Sequence, residues 1–264
     1  MLELYQFEVS QYSEKIRLIL DYKGLAYRKI EVTPGIGQLD IYRMSGQRKL
    51  PVLKDGNEII ADSTAIAKYI DRKYPDRPLI PVEPQLRAVC LLMEEWADES
   101  IGTKSRKVLY GALTQSLSLR TALLPSATPD VLKIAIGSVP SEVLNVLGFG
   151  FGYSPDVIKS ANDDMKQNLE ALSLLLINRP YLVTDHPTLA DFAVAGLSML
   201  LKFPSGPYLD IPENLKGKGV PGIADSIAYE TFFNWRDSLY ADYRKPLIPV
   251  GTTSTSSPTS IQID

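Results

Sequence analysis

Four prolines within ten residues divide this 264-residue sequence into two parts with different hydrophobic patterns. Strand-like alternation and helical spacing succeed each other before Pro75, whereas helical spacing dominates after Gln85. Closely spaced prolines are typical of a semi-rigid linker between domains. The sequence therefore predicts a mixed α/β domain over residues 1–80 and an all-α domain over residues 85–250. The last segment, 251–264, is rich in serine and threonine and is expected to be disordered.

The first domain begins with a strand–helix–strand order. Residues 2–7 alternate in the manner of a strand, and apolar residues recur at helical spacing over residues 13–22, where Gly24 is expected to end the helix. Residues 27–32 are predicted to form a second strand. Because the connections are short, the two strands are expected to be parallel and joined by a right-handed crossover.

The rest of this domain alternates between irregular and regular patterns. Residues 33–47 are polar and irregular, whereas residues 50–53 and 58–60 are predicted strands joined by a turn that contains Asp55-Gly56, a strong hairpin signal. A further helix is expected to begin at Asp62-Ser63 and to run to Tyr74.

The rare residue types exclude several kinds of chemistry. One cysteine, Cys90, and one histidine, His186, cannot build a structural zinc site, so no metal is expected. A net charge of -3 gives no electrostatic reason to expect nucleic acid as a partner. No stretch approaches the roughly 18 apolar residues of a membrane helix, and the N-terminus does not resemble a signal peptide. We therefore expect a cytoplasmic protein.

Four local motifs resemble those of the glutathione transferase superfamily, in the family's order and spacing: the active serine at Ser10, the cis-proline turn at Lys49–Leu53, the acidic–serine pair at Asp62–Ser63, and the capping box at Thr188–Asp191. The resemblance covers nearly the whole chain. It implies a thioredoxin-like N-terminal domain of order βαβ-α-ββα, followed by the all-α domain. It also implies glutathione as co-substrate, a role in detoxification and a homodimer.

The motif residues suit the charges of glutathione, which has one amino group, two carboxylates and a thiol. Ser63 at a helix N-terminus can hold the γ-glutamyl carboxylate, and Asp62 suits the amino group, although the pair could merely cap the helix. If the bond before Pro51 is cis, as the resemblance implies, the backbone groups of Leu50 can pair with the cysteinyl part.

Two basic residues precede the proline turn. Arg48 and Lys49 could neutralise the glycyl carboxylate of glutathione, or they could form an ordinary solvated edge.

Ser10 is the candidate that would activate the thiol. A free thiol has a pKa of about 8.5, and lowering it by two units takes roughly 2.7 kcal/mol. A hydroxyl hydrogen bond and a helix N-terminus can together supply this stabilisation of the thiolate. Tyr12 and Ser13 are the alternative hydroxyls; Ser13 could instead be the N-cap of the helix, and Ser10 could be a cap or idle. Since serine cannot form a mixed disulfide, thiol–disulfide exchange is disfavoured.

The second domain departs from the family pattern between residues 112 and 153. This insertion carries few charges and includes the run Gly148–Gly152. It could be an extra helical hairpin buried against the core or a subunit interface, or else an apolar lid or a patch that contacts a membrane surface. Family geometry places the electrophile against the helix over residues 94–110, which makes Trp96, Arg106 and Tyr110 candidates.

The sequence therefore predicts an enzyme of the glutathione transferase type. It would activate the glutathione thiol for attack on a small hydrophobic electrophile, by conjugation, peroxide reduction or isomerisation. The alternative is a non-catalytic ligand-binding or scaffold protein with the same fold.

Overall fold

The computed structural model describes residues 1–32, 37–122, 130–141, 143 and 152–247. The predicted disordered tail and most of the glycine–phenylalanine run, residues 148–151, lie outside the described residues.

The N-terminal part is one four-stranded sheet of order β2-β1-β3-β4 with three helices. Its elements are β1 Leu2–Gln6, α1 Gln11–Tyr22, β2 Tyr27–Glu31, α2 Gln38–Ser45, β3 Val52–Asp55, β4 Glu58–Ala61 and α3 Ser63–Lys73. Strand β1 pairs in parallel with β2 and antiparallel with β3, and β3 forms the antiparallel hairpin with β4. The predicted thioredoxin-like order βαβ-α-ββα is confirmed.

One segment of this domain differs from its sequence pattern. The stretch predicted to be irregular contains the eight-residue helix α2. Ile41 is the helix residue that is buried against the sheet. Because the helix has so little apolar surface, the sequence shows no helical spacing of apolar residues here. The helix ends at Gly46, whose φ of 76° is the left-handed conformation that glycine adopts without a steric penalty.

Helix α1 begins earlier than its apolar spacing predicts. It starts at Gln11 because Ser10 occupies the N-cap, where its Oγ accepts a hydrogen bond of 3.3 Å from the Ser13 N–H. The suggestion that Ser13 is the N-cap is therefore wrong: Ser13 lies inside the first turn and is fully buried. Gly24 follows the end of the helix with a φ of 70°, as predicted.

The charged side chains of α1 are buried together with its apolar ones. Arg17 forms ion pairs with Glu8 and Glu14, and Arg244, beyond the last helix of the chain, forms ion pairs with Glu14 and Asp21. Buried charges are tolerated only when counter-charges neutralise them. This network therefore holds the C-terminal end of the described chain against the N-terminal domain.

The remainder of the chain is mostly helical. The helices are α4 Pro84–Trp96, α5 Thr103–Gln115, α6 Leu117–Ala122, α7 Asp130–Gly137, α8 Pro155–Leu175, α9 Leu189–Leu197 and α10 Glu230–Tyr243, and a π-helical turn, Ala97–Gly102, joins α4 to α5. The predicted capping box opens α9, with Thr188 at the N-cap and Asp191 at the third position. Residues 201–226 are largely irregular, so the predicted all-α domain is more accurately mostly α.

The insertion contributes a short helical pair. Helix α6 contacts α7 and the end of α5. Leu117, Val131 and Ile134 are 57%, 78% and 70% exposed, so the described residues leave these three apolar side chains uncovered. Leu119 of α6, by contrast, is buried in the core, so whether the insertion packs against the core or a subunit interface stays a prediction.

The two parts of the chain pack closely along α1 and α9. A Cβ atom at Gly196 of α9 would lie 2.6 Å from the Cα of Lys15, so only glycine permits this approach. Residue Leu79, between α3 and α4, is fully buried, and its carbonyl accepts a hydrogen bond from the N–H of Leu189. The helical part thus fixes the position of α1. Among the described helices, none combines the length and the apolar character needed to cross a membrane.

The Arg244 network makes a prediction about stability. Arg244→Met leaves the buried carboxylate of Asp21 without its guanidinium partner, and removing one member of a buried ion pair costs about 3–5 kcal/mol. We expect a decrease of this size in the free energy of unfolding, measured by urea denaturation. Arg179→Met is the matched control because Arg179 is exposed. Equal stability of the two variants would contradict the role of the network.

Candidate functional site

A cavity of about 760 Å³ lies where the N-terminal ends of α1 and α3 face the π-helical turn and α5. All six residues predicted to bind glutathione line this cavity: Arg48, Lys49, Leu50, Pro51, Asp62 and Ser63. Ser10 and Tyr12 line it as well. The residues that three separate sequence motifs single out therefore meet in one place.

Ser10 both caps α1 and faces the cavity. Its backbone N–H donates to the Phe7 carbonyl at 2.9 Å, and its Oγ accepts from the Ser13 N–H. Capping uses a lone pair of the hydroxyl oxygen, so the hydroxyl hydrogen stays available to a ligand. The two roles weighed for Ser10, helix cap and functional hydroxyl, are thus compatible.

The start of α1 also presents backbone donors. The first intrahelical bond runs from the Glu14 N–H to the Ser10 carbonyl, so the N–H groups of Gln11 and Tyr12 precede the helical ladder. Together with the Ser10 hydroxyl they favour a negative charge at this end of the cavity.

The loop that carries Ser10 is held by Arg17. This guanidinium donates to the carbonyl oxygen of Glu8 at 2.7 Å, to the Glu8 carboxylate at 2.9 Å and to the amide oxygen of Gln6 at 2.7 Å. Arg17 is fully buried. The buried charge network of α1 therefore positions the residues immediately before Ser10.

The other two hydroxyl candidates, Ser13 and Tyr12, are placed differently from Ser10. The Ser13 side chain is buried away from the cavity, and its Oγ has no hydrogen-bond partner among the described residues. The Tyr12 hydroxyl donates its one hydrogen to the Asp98 carbonyl at 2.9 Å, and burial raises the pKa of this phenol. The Ser13 hydroxyl therefore lies outside the cavity and the Tyr12 hydroxyl is engaged by Asp98, whereas the Ser10 hydroxyl faces the cavity.

The proline turn has the implied geometry. The Leu50–Pro51 peptide bond is cis. Arg48 and Lys49, just before it, are exposed at the cavity edge, and the Arg48 guanidinium lies 5.6 Å from the centre of the Tyr42 ring. No carboxylate of the described chain lies within ion-pairing distance of either cation, so both can receive an anionic ligand.

The start of α3 supplies the acidic–serine pair. Asp62 is the N-cap, and its Oδ1 accepts from the Ala65 N–H at 3.0 Å. Its φ is 83°, an uncommon value for a residue with a side chain. Capping engages one carboxylate oxygen and leaves the charge at the cavity edge, while Ser63 lines the cavity with only 3% of its surface exposed.

A buried charge cluster lies beneath this helix start. The Lys15 ammonium donates to the carboxylates of Glu94 at 2.6 Å and Asp98 at 2.7 Å, and the Thr64 hydroxyl is hydrogen-bonded to Glu94. Burial raises the pKa of Asp98. The cluster ties α1 and α3 to α4 and to the π-helical turn, and so fixes the distance between the opposing walls of the cavity.

Of the three predicted electrophile-site residues, only Arg106 lines the cavity. Trp96 lies instead in a separate apolar groove between α4 and α8, beside Leu92 and Leu172. Tyr110 lies one helical turn beyond Arg106 and packs against the Tyr153 ring, with 5.3 Å between the ring centres. Trp96 and Tyr110 therefore do not line the cavity that holds the other candidates.

The helical wall contains residues that sequence reasoning missed. Asp98 and Glu99 come from the π-helical turn, and Thr103 and Leu109 come from α5. The π-helical turn shifts the face that each residue presents, so α-helical spacing could not identify them. Gln47, next to the basic pair, was also missed.

The two rarest side chains lie outside the cavity lining. Cys90 is fully buried in the core, and burial raises the pKa of its thiol. His186 is exposed in a loop beside Asp185. Within the described ranges, no group of three or more histidine, cysteine, aspartate or glutamate side chains is arranged to hold a metal ion.

Residues 4–78 match the protein family described as the glutathione S-transferase N-terminal domain. Over 91 residues the chain is 37% identical to Glutathione S-transferase Z1 of Arabidopsis thaliana. The matched region covers 33% of this chain and 41% of that relative. Over 93 residues it is 29% identical to a Stringent starvation protein A homolog of Pasteurella multocida, covering 35% and 44%. The matched region thus spans less than half of the length of these relatives.

The likeness to solved structures is longer. A glutathione S-transferase from Rhodospirillum rubrum F11 has a TM-score of 0.60 at 19% identity, and the match covers 91% of this chain and 88% of that one. The fold is thus that of a thioredoxin-like domain followed by a mostly helical one. The N-terminal domain, residues 4–78, thus belongs to the family of glutathione S-transferase N-terminal domains.

The cap at Ser10 makes a prediction about stability that is separate from catalysis. Ser10→Ala removes the acceptor for the Ser13 N–H and should lower the free energy of unfolding by about 1 kcal/mol. Ser10→Asp keeps a capping oxygen and should retain most of the stability. Thermal and urea unfolding of both variants measure this; equal losses would show that Ser10 is not the cap.

Proposed function

We propose that this cavity binds glutathione and that Ser10 activates the glutathione thiol for attack on an electrophile. One observation supports the proposal above the others: the Ser10 hydroxyl and all six predicted glutathione-binding residues line the same cavity. Membership of the superfamily supports the same ligand.

The charges at the cavity edge suit the three charges of glutathione. The γ-glutamyl carboxylate would bind at the start of α3, where the Ser63 hydroxyl and the helix N-terminus favour an anion. Its amino group would meet Asp62, and the glycyl carboxylate would meet Arg48 and Lys49. The cysteinyl backbone would pair with Leu50 at the cis-proline turn in the manner of an added strand.

This arrangement would place the thiol between the proline turn and the start of α1. There the Ser10 hydroxyl donates a hydrogen bond that is worth roughly 1.5–3 kcal/mol to a charged acceptor. The first turn of α1 adds roughly 0.3–1 kcal/mol. Both contributions stabilise the thiolate over the thiol, so both lower the thiol pKa.

The residues also narrow the reaction class. Serine cannot form a mixed disulfide, and the buried Cys90 lies outside the cavity lining. Conjugation, isomerisation and peroxide reduction by the bound thiolate are therefore the reactions that we propose, rather than exchange through an enzyme cysteine.

The proposal extends to a cytoplasmic homodimer. Helix α4 exposes an apolar row at Leu86, Val89 and Leu92, and the last of these is 71% exposed. A second copy of the chain would bury this row, as superfamily members commonly dimerise.

The role of Ser10 is tested by titrating the bound glutathione thiol through the ultraviolet absorbance of the thiolate. In the wild type we expect a pKa about 1–2 units below that of the free thiol. Ser10→Thr keeps the hydroxyl and should keep most of this shift. Ser10→Asp keeps the cap but offers no hydrogen and adds a repelling charge, so the shift should disappear. An unshifted pKa in the wild type would overturn activation and favour a non-catalytic binding protein.

The role of Asp62 is tested with a charge-neutral variant. Asp62→Asn preserves the N-cap and tolerates the positive φ, yet it removes the counter-charge for the amino group of glutathione. We expect the Kd of glutathione to rise about tenfold by calorimetry. A glutathione analogue without the amino group is the control ligand and should bind both proteins alike. Equal effects on both ligands would contradict this contact.

A further inference from the structure

Arg106 is a cation of the cavity that the docking of glutathione does not use. It lies on the wall formed by α5, opposite the start of α3, and its side chain is exposed to the cavity. Among the residues that the structure describes, no carboxylate lies within ion-pairing distance of its guanidinium. The guanidinium lies against Tyr12, whose ring centre is 5.6 Å from the guanidinium carbon.

The Tyr12 ring is a fixed platform for this guanidinium. Its hydroxyl donates to the Asp98 carbonyl at 2.9 Å, and Asp98 is tied to the buried Lys15. A Cβ atom at Gly102 would lie 2.5 Å from the Tyr12 oxygen, so glycine makes the room for the ring. An arginine that stacks on an immobile ring is already ordered, and less entropy is lost when it binds an anion.

The number of charges leaves Arg106 without a glutathione group to bind. Glutathione carries two carboxylates; the start of α3 suits one, and Arg48 with Lys49 suits the other. A third anion-binding position, on the other wall, therefore suits the second substrate. A guanidinium presents paired donors that match the two oxygens of a carboxylate.

The surroundings of Arg106 define the rest of that substrate. Leu109, Leu200 and Val9 line the same cavity, so an apolar body has surface to contact. Glu99 also lines this wall and would repel an anion placed beside it. The two charges thus favour one orientation, with the anionic group at Arg106.

We propose that the electrophile of this protein is amphipathic, with an apolar body and a carboxylate that Arg106 receives. This inference rests on the proposed function, because it concerns the partner of the glutathione thiol. It narrows the expected hydrophobic electrophile to one that carries an acidic group.

The test compares two electrophiles that differ only in that group, 4-chloro-3,5-dinitrobenzoate and its methyl ester. In both, the thiolate sulfur bonds to the ring carbon and chloride leaves with the electron pair of the carbon–chlorine bond. The S-conjugates that result are titrated against the protein by calorimetry, so that the readout does not depend on turnover. Glutathione alone is titrated as the separate measure of the proposed function.

We expect the wild type to bind the carboxylate conjugate more tightly than the ester conjugate. Arg106→Gln should lower that preference about tenfold, and Arg106→Lys should lower it less. Glu99→Gln should increase the preference. Arg87→Gln is the matched control, since Arg87 is exposed on α4 and does not line the cavity.

Two outcomes would overturn the proposal. An unchanged preference in Arg106→Gln would show that Arg106 does not receive the carboxylate. Loss of glutathione binding in the same variant would assign Arg106 to the glycyl carboxylate instead. If wild-type glutathione binding is absent while the conjugate preference still depends on Arg106, the proposed function fails and the anion site stands.

Discussion

Helix α1 carries its four charged side chains into the interior of the protein, where each pairs with groups from other elements. Lys15 pairs with Glu94 and Asp98, and Arg17 pairs with the loop before the helix. Because an unpaired buried charge is strongly destabilising, α1 can lie here only when all these partners are in place. The first helix of the sheet domain is therefore completed by residues far along the chain.

The same pairing constrains the cavity. Ser10 begins α1, and Thr64 of the buried cluster directly follows Ser63. The Asp98 carboxylate accepts a hydrogen bond from Lys15, and the Asp98 carbonyl accepts one from Tyr12. Asp98 therefore connects α1 to the wall that the π-helical turn and α5 form. A change in this cluster would move both walls together. The geometry of the two cavity walls is thus coupled through α1.

Local signals in the sequence identified the parts of the fold that local physics determines. The Asp55-Gly56 hairpin, the stop at Gly24 and the capping box at Thr188 each depend on a few neighbouring residues. The burial of the charged faces of α1 was not predictable in this way, because its partners lie up to 230 residues away. The start of α1 was misjudged since two serines compete for the N-cap, and only the folded loop decides between them.

The two walls of the cavity differed in predictability for a physical reason. The wall from the N-terminal domain consists of helix starts and a proline turn, whose backbone geometry short motifs such as Leu50-Pro51 and Asp62-Ser63 determine. The opposite wall consists of side chains on a helix whose phase is shifted by the π-helical turn, so Trp96 faces α8 while Asp98 and Glu99 face the cavity. Arg106 lies on this second wall, so under the proposed function its charge would act on the electrophile rather than on glutathione.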